Sequence, residues 1–425
     1  MVFGGTFMNE DRPLCPMTLN TPETFDCPYP LYDRIREAAP VFYDSALDIF
    51  VVARQDVARE VLADWQRFSN EPDVSVQAIY ANDADMLALY EREGGFAPRL
   101  TLPVADPPVH RRHRALLEKA LGAANVSRMK AMVTARIDAI MDTFIDRGYV
   151  DYTREFSLRL PVSIQANLLG MPYENLDIML EMADSTVKLN DGRALSREAI
   201  IDCHRIQIRG QKVFQPYIER YRLQPADNLL SHLVNAVLDN GERLTDHEVH
   251  GIIQVLLVGG NDTTVGALSN CMVFLARDPA LQEMLRRTPS LIAAFVEEAL
   301  RLESPVQGLW RRATRDTELA GVKIPAGAML NMRYGAINRD ARAYPDPARM
   351  QLDRPGIRNH SAFGGGIHYC AGSLLARMEV NGAVSRALER MLDIRLDPPD
   401  FVIRYVPKLA VRNPMSVPIR FRRAD

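Results

Sequence analysis

The chain has 425 residues, of which 47% are hydrophobic and 25% are charged, a balance that is ordinary for a globular protein. Its formal net charge of −3 leaves no basic excess to neutralise phosphates, which argues against a nucleic-acid-binding surface. The five cysteines are odd in number and scattered, so neither a disulfide framework nor a zinc ribbon is indicated. The N-terminal segment is polar and lacks an apolar stretch, so we expect a cytoplasmic protein that does not bind a membrane.

Hydrophobic periodicity predicts a mainly α fold with a small β subdomain, folded as a single domain over residues 1–425. No internal repeat, charge tract or long linker marks a domain boundary. The predicted elements, in chain order, are an irregular arm (1–28), a helix (31–39), a hairpin (41–43 with 49–52), a largely helical region (104–301), a β-like region (305–332) and a final β-rich stretch (401–421).

A cationic segment stands near the start of the helical region. It reads Asp106-Pro-Pro-Val-His110-Arg-Arg-His-Arg114, and its prolines favour the beginning of a helix. His110 and Arg114 are four residues apart and therefore share one helix face, where both can donate hydrogen bonds to a carboxylate. Any one cation of this kind is more often a surface residue, so the segment indicates a carboxylate-binding site only together with other motifs.

The longest predicted helix covers residues 246–277, or about 48 Å at about 1.5 Å per residue. Its centre is apolar on nearly all faces, which predicts burial. Gly259 and Gly260 interrupt this centre. Each glycine lowers the stability of a helix interior by about 1 kcal/mol relative to alanine, and the close approach of a ligand would compensate for that loss. Asp262 and Thr263 follow with a carboxylate and a hydroxyl. A helix kink with solvated polar residues is the alternative.

A Glu-x-x-Arg motif follows on the next predicted helix. Glu298 and Arg301 are three residues apart on one helix face, where their side chains can form an ion pair. Taken alone, this motif is weak evidence, because most such pairs are solvated surface contacts.

The most informative segment is Phe363-Gly-Gly-Gly-Ile-His368-Tyr-Cys370-Ala-Gly372. Its glycines let the backbone approach a flat ligand without interference from a Cβ atom. The helix predicted after Cys370 directs its N–H groups and positive dipole end at the sulfur, which favours a thiolate. A thiolate on such a loop suits an axial ligand of a metal in a planar macrocycle. The alternative for Cys370 alone is a tight turn with a buried free cysteine.

Other chemical motifs are missing from the sequence. His247-Glu-Val-His250 has i,i+3 spacing where a zinc helix needs i,i+4, so a surface pair is the better interpretation. There is no phosphate-binding loop, no dinucleotide fingerprint after a strand and no Gly-x-Ser-x-Gly. The sequence therefore has no recognisable flavin or nicotinamide module.

The pattern Phe-x-x-Gly-x-His-x-Cys-x-Gly resembles the haem-binding signature of the cytochrome P450 family. The Asp262-Thr263 pair, Glu298-x-x-Arg301 and His110-x-x-x-Arg114 resemble three further family motifs in their order along the chain. Many soluble relatives carry histidine where this chain has Gly365, which leaves the ligand assignment untouched. The resemblance covers most of the chain and implies the P450 fold of a soluble, bacterial-type member. In that fold the haem is buried between the long central helix and the cysteine loop with its helix.

The resemblance also implies roles for individual residues. The implied iron ligand is Cys370, and the implied proton-delivery pair is Asp262 with Thr263. The residues implied to bind the cofactor, haem b (iron protoporphyrin IX), are His110, Arg114, Arg311, His360 and His368 at the propionates, with Phe363, Gly364 and Gly372 in the loop. The residues implied to form a structural ion-pair network are Glu298, Arg301 and Arg354. The residues expected in the substrate pocket are Val255, Val258, Gly259, Gln307, Leu309 and Leu409, with Gln307 and Asn190 as possible hydrogen-bonding groups.

The implied activity is that of a monooxygenase, which inserts one oxygen atom of O2 into a small molecule by C–H hydroxylation or a related oxidation. Because most expected pocket residues are apolar, a mainly hydrophobic substrate is favoured, and steroids, terpenoids, fatty acids and aromatics all remain open. Electrons are expected from a separate ferredoxin and its NAD(P)H-dependent reductase, and we expect a monomer. Possible contacts of an acidic partner, with a plain solvated face equally open, are Arg111, Arg112, His113 and Arg377.

Two other functions stay open from the sequence. A peroxide-driven haem peroxygenase is one, although such relatives usually lack an acid–alcohol pair. A haem-binding sensor without turnover is the other.

Overall fold

The protein is described by a computed structural model that covers residues 17–71, 83–98, 101–190, 195–238 and 241–424. The helices are α1 (Pro22–Asp26), α2 (Tyr29–Ala38), α3 (Gln55–Ala63), α4 (Ala84–Glu93), α5 (Val109–Ala120), α6 (Ala123–Met141), α7 (Arg159–Leu169), α8 (Leu176–Asn190), α9 (Arg197–Leu223), α10 (Leu229–Asn235), α11 (Asp246–Arg277), α12 (Pro279–Arg287), α13 (Ile292–Leu302), α14 (Tyr334–Ile337) and α15 (Ser373–Arg390). The strands are β1 (Val41–Asp44), β2 (Ile49–Val52), β3 (Phe68–Ser69), β4 (Tyr149–Asp151), β5 (Leu309–Ala313), β6 (Thr317–Leu319), β7 (Val322–Ile324), β8 (Met329–Met332), β9 (Met391–Leu396) and β10 (Pro418–Arg423). The predicted mainly α fold with a small β subdomain is confirmed.

The N-terminal segment differs from the irregular arm that the sequence predicted over residues 1–28. Residues 22–26 form α1, where the hydroxyl of Thr21 caps the helix by accepting the backbone N–H of Thr24 at 3.2 Å. Leu19 is fully buried in a cluster with Tyr32 and Ile35 of α2. The prediction of an irregular arm is therefore wrong for residues 22–26, and residues 1–16 lie outside the described part of the chain.

The central helix α11 spans the residues that the sequence predicted. A capping box fixes its start: Glu248 N–H donates to the Thr245 hydroxyl at 3.2 Å, and Thr245 N–H donates to the Glu248 carboxylate at 2.9 Å. Helices α7, α8 and α15 pack against α11. Two large apolar clusters meet along it, one around its N-terminal half with α8 and α9 and one around its C-terminal half with α6 and α15.

The β subdomain supports one side of the site. Its main sheet has the order β1-β2-β8-β5-β3, in which β2 and β8 are parallel and the other pairs are antiparallel. A second sheet has the order β4-β10-β9, so only the end of the predicted last β-rich stretch is a strand. Before it, residues 405–414 form a hairpin with an isolated bridge between Tyr405 and Pro414, here called the C-terminal hairpin. In the described ranges no helix is long and apolar enough to cross a membrane.

Candidate active site

The loop before α15 takes the path that its glycines allow. The backbone N–H of Cys370 donates to the carbonyl oxygen of Phe363 at 2.9 Å and closes the loop. Gly364 and Gly366 have φ of +70° and +62°, a conformation that residues with a side chain rarely adopt. A Cβ atom on Gly366 would also overlap the carbonyl oxygen of Leu62 at the end of α3. Gly364 and Gly366 are therefore required by the backbone.

Gly365, where many relatives carry histidine, is in a different situation. Its φ of −170° is extended backbone that any residue adopts. A Cβ atom there would lie 3.1 Å from Cδ1 of Leu62, a flexible side-chain end. The backbone at this position accepts glycine or histidine, so glycine in place of the relatives' histidine does not change the path of the loop.

The sulfur of Cys370 lies at the start of α15, beside the backbone N–H of Gly372. Burial raises the pKa of the Cys370 thiol above its ordinary value, against the N–H of Gly372 and the charges of Arg114 and Arg377, which lower it. The backbone N–H of Gly372 favours the thiolate, as the sequence predicted, but burial outweighs it in the protein chain alone. A bound metal cation would supply the missing positive charge, because a coordinating thiol is deprotonated by the metal.

Four of the five predicted propionate-binding residues come together beside this loop. The rings of His110 and His368 meet edge to face, with their centroids 4.4 Å apart. Arg114 donates to the carbonyl oxygen of Tyr369, the residue before the cysteine. The fourth, Arg311, is buried on β5. Burial lowers the pKa of His368, Asp106 at 3.8 Å opposes this, and the positive charges of Arg311 and Arg114 add to the lowering. His368 is therefore close enough to both arginines to sense their charge.

This cluster fits a ligand that carries carboxylates. Both ring nitrogens of His110 are buried and have no hydrogen-bond partner among the described residues. Burial, together with nearby His368 and Arg114, lowers the pKa of His110 to about 4. Arg311 donates to the carbonyl oxygen of Trp310 at 2.7 Å, and within the described ranges no carboxylate pairs with it. Buried donors without an anion are costly, and the two propionates of a haem would satisfy them.

The fifth predicted donor, His360, is engaged elsewhere. Its Nδ1 accepts the backbone N–H of Ala362 at 3.2 Å, so its Nε2 carries the hydrogen that it donates to Glu297 at 2.9 Å. No N–H remains on the ring for a propionate. The structure therefore contradicts the assignment of His360 to the cofactor and places it in a buried pair with α13.

The centre of α11 opens on one face. Gly259 is exposed although it stands in the middle of a buried helix, and a Cβ atom there would meet open space. Val255 and Val258 are partly exposed beside it. Leu309 on β5 is 43% exposed. Gly259 thus fits the predicted close approach of a ligand.

The second glycine at the centre of α11, Gly260, is required for a different reason. A Cβ atom on Gly260 would overlap the amide of Gln165 from α7. That amide donates to the carbonyl oxygen of Leu256 at 2.8 Å. Gly260 therefore serves helix packing, and the sequence pattern alone did not separate the two glycines.

The predicted acid–alcohol pair stands one turn further along α11. The hydroxyl of Thr263 donates to the carbonyl oxygen of Gly259 at 2.7 Å, which leaves its lone pairs free to accept a hydrogen bond. Asp262 is largely buried, with its carboxylate 3.6 Å from Nζ of Lys408. Burial raises the pKa of Asp262 above its ordinary range, and Lys408 opposes this. Thr264 is buried in the core.

Two of the predicted pocket residues do not line this open face. Gln307 is buried; its side-chain oxygen accepts the hydroxyl of Tyr32 at 2.8 Å, and its amide donates to the carbonyl oxygen of Ser304 at 2.7 Å. Leu409 is buried in the apolar cluster that contains Leu19 and Tyr32. Both predictions are wrong because these side chains anchor the N-terminal segment. The side chain of Asn190 lies outside the described residues.

The predicted ion-pair network is present and buried. Glu298 receives Nε and Nη2 of Arg301 at 2.6 and 2.8 Å, Nε of Arg354 at 3.0 Å and the backbone N–H of Gln351 at 3.0 Å. The arginines also donate to backbone carbonyls of the segment 338–349. The network therefore fixes the chain that leads toward the cysteine loop.

Four cationic residues were predicted as possible contacts of an acidic partner protein. Two of them form ion pairs with carboxylates and a third is buried. Arg112 pairs with Glu248. Arg377 pairs with Glu297 at 2.6 Å and lies over the ring of Phe363. His113 is buried, so Arg111 is the one of the four that stays exposed.

Comparisons with known proteins agree with this geometry. The sequence model of the family described as cytochrome P450 matches residues 196–288 and 290–397. Cytochrome P450 107B1 of Saccharopolyspora erythraea is 32% identical over 379 residues, which cover 88% of this chain and 90% of that protein. Cytochrome P450 monooxygenase PikC of Streptomyces venezuelae is 31% identical over 402 residues, or 93% of this chain and 91% of PikC. The crystal structure of P450BioI, in complex with an acyl carrier protein ligated to hexadec-9Z-enoic acid, superposes with a TM-score of 0.83 at 26% identity, covering 94% of this chain and all of that one.

This fold, with buried groups that can bind carboxylates beside the cysteine loop, is that of a haem protein. The chain belongs to the cytochrome P450 family, and it is a P450 monooxygenase.

Proposed function

We propose that Cys370 is the only protein ligand of the iron and that the cofactor is haem b. The observation that carries this assignment is the cluster of His110, Arg114, Arg311 and His368 beside the cysteine loop. Within it, His110 has no hydrogen-bond partner for either ring nitrogen and buried Arg311 has no carboxylate partner among the described residues. When bound, the haem supplies the activation of O2 and the transfer of one oxygen atom to the substrate. The loop residues Phe363, Gly364 and Gly372 shape the path of the backbone around the sulfur.

Asp262 and Thr263 are proposed to handle protons during this reaction. Thr263 is held by its hydrogen bond to Gly259 and presents an acceptor toward the open face of α11. Asp262 is set one residue back and has a raised pKa because it is buried, so it holds a proton more readily than an exposed aspartate does. Thr263 thus positions protons at the reacting centre, and Asp262 brings them from the solvent side.

The substrate is proposed to be a mainly hydrophobic small molecule. Val255 and Val258 present apolar surface beside Gly259, Leu309 on β5 exposes a further apolar side chain, and apolar lining with few polar groups is typical of such pockets. P450BioI, a similar protein, has been crystallised with a fatty acyl chain on its carrier protein. Electrons are proposed to come from a separate ferredoxin and its NAD(P)H-dependent reductase, because the sequence has no nucleotide-binding fingerprint of its own.

The ligand assignment is tested by the absorption spectrum of the reduced, CO-bound protein. The wild-type protein is expected to absorb at the long wavelength that a thiolate ligand gives, and Cys370→Ala should abolish that band. Cys271→Ala is the matched control, because Cys271 is a buried cysteine that belongs to α11 and not to the loop. A band that survives in Cys370→Ala would end the assignment.

A further inference from the structure

The C-terminal hairpin touches α11 at the proposed proton-delivery acid. Nδ2 of Asn413 donates to the backbone carbonyl of Asp262 at 3.0 Å. Gly266 makes room for this contact, because a Cβ atom there would overlap Oδ1 of Asn413. From the same hairpin, Nζ of Lys408 lies 3.6 Å from the carboxylate of Asp262. One element therefore contacts both the backbone and the side chain of this residue.

Lys408 also contacts a second carboxylate. Its Nζ lies 3.5 Å from Oδ1 of Asp184 on α8, and Asp184 pairs in turn with Lys188 at 2.7 Å. The side chains of Lys408 and Asp262 are 14% and 13% exposed, whereas that of Asp184 is 49% exposed. The chain of charges thus begins inside the protein at Asp262 and reaches solvent at α8.

The hairpin itself is firmly anchored to the rest of the fold. Arg412 is buried, pairs with Glu303 at 2.7 Å and stacks over the ring of Tyr405 at 3.4 Å. The backbone N–H of Gln307 donates to the carbonyl oxygen of Ala410 at 2.7 Å. The backbone of Lys408 is therefore held in place. A change in the position of α8 would change the distance from Lys408 to Asp184 and so change which carboxylate Lys408 pairs with.

We propose that Lys408 is a positioning residue that divides its charge between Asp262 and Asp184, and so couples the position of α8 to the charge state of Asp262. This inference rests on the proposed role of Asp262 in proton delivery. While Asp184 stays near, it competes for the ammonium group and adds a like charge. If α8 carried Asp184 away, Lys408 would act on Asp262 alone and the repulsion would vanish, so both effects would favour the carboxylate. The charged groups in this arrangement are Lys408 on the hairpin and Asp184 and Lys188 on α8.

The test is a titration of Asp262 by ¹³C NMR in the reduced, CO-bound holoprotein labelled at the aspartate carboxyl carbon, with Asp262→Asn identifying the signal. Lys408→Met is expected to raise the pKa of Asp262 by about one unit or more, because an opposite charge at this distance is removed. Asp184→Asn is expected to lower it. Lys408→Arg should restore wild-type behaviour, and Lys323→Met, at an exposed lysine on β7, should have no effect.

Shifts of opposite sign in the two variants would support the bridge, since damage to the fold gives no such pattern. Shifts of the same sign, or none, would overturn it. Asp184→Asn alters a half-exposed side chain and carries the test alone if Lys408→Met fails to bind haem. The proposed function is tested separately by turnover of Asp262→Asn: undiminished turnover would remove Asp262 from proton delivery even if the titration showed the bridge.

Discussion

Replacing Glu298 by glutamine is expected to destabilise the protein strongly. Glu298 and Arg301 are 0% exposed, and the carboxylate accepts three hydrogen bonds from Arg301 and Arg354 and one from Gln351 N–H. Glutamine keeps the shape but removes the negative charge and turns an NH2 group toward a guanidinium. Two buried cations then lack their counter-charge, and breaking a buried ion pair in this way costs about 3–5 kcal/mol.

The measurement is urea unfolding of the holoprotein at pH 7, followed by far-UV circular dichroism and by haem absorbance. The matched control is Glu283→Gln, which breaks the exposed pair with Arg287 and should cost about 0–1 kcal/mol. A loss below about 1 kcal/mol in Glu298→Gln would refute the view that the network stabilises the fold.

The loss of stability in Glu298→Gln is expected to depend on pH. Burial by itself would raise the pKa of Glu298, but Arg301, Gln351 N–H and Arg354 hold it below its ordinary value. A carboxylate whose pKa is depressed by folding contributes stability that is fully present above its unfolded pKa of about 4.3 and is lost as the pH falls through the folded pKa. The difference between wild type and Glu298→Gln should therefore be constant near neutral pH and shrink in acid.

Three further predictions concern the site and its electron supply. Thr263→Ala should keep the substrate-induced spectral change but lower product formation by about 100-fold or more, with NAD(P)H consumption diverted to hydrogen peroxide, whereas Thr264→Ala should stay largely coupled; full coupling in Thr263→Ala would contradict the assignment. Gly366→Ala should prevent normal haem incorporation, because its Cβ atom would overlap the carbonyl of Leu62, whereas Gly365→Ala should take up haem normally; equal haem content in both would argue against the loop geometry. The isolated protein should oxidise NADPH negligibly until a ferredoxin and its reductase are added, and rapid oxidation without them would reveal an unrecognised flavin site.

Local pattern predicted the parts of the structure that depend on neighbours in sequence. The helix α11 was predicted from its apolar centre, and the structure adds the capping box of Thr245 and Glu248 at its start. The Glu298–Arg301 pair follows from helix spacing, and the glycine requirement of the cysteine loop follows from the lack of a Cβ atom. The family motifs then indicated which of these patterns belong to one site.

Contacts between residues that are distant in sequence could not be predicted from local sequence patterns. Gln307 turns away from the open face because Tyr32, 275 positions earlier, offers it a hydrogen bond in the core. His360 is bound by Glu297, which the sequence analysis had not singled out. Lys408 lies in the predicted β-rich stretch 401–421, and a β pattern does not indicate which distant residue a side chain contacts, so nothing in the sequence connected it to Asp262. In each case the partner is set by tertiary packing, which one sequence does not encode in any local spacing.

The hydrogen bond from Thr263 to Gly259 has a consequence for conformational entropy. A hydroxyl bonded to its own helix, on a β-branched side chain with few rotamers, is already fixed before any substrate arrives. The entropic cost of ordering this group is met once, when the chain folds, and does not recur in each catalytic cycle. Serine in place of Thr263 would keep the oxygen but regain rotational freedom, so it would have to be ordered again at every turnover.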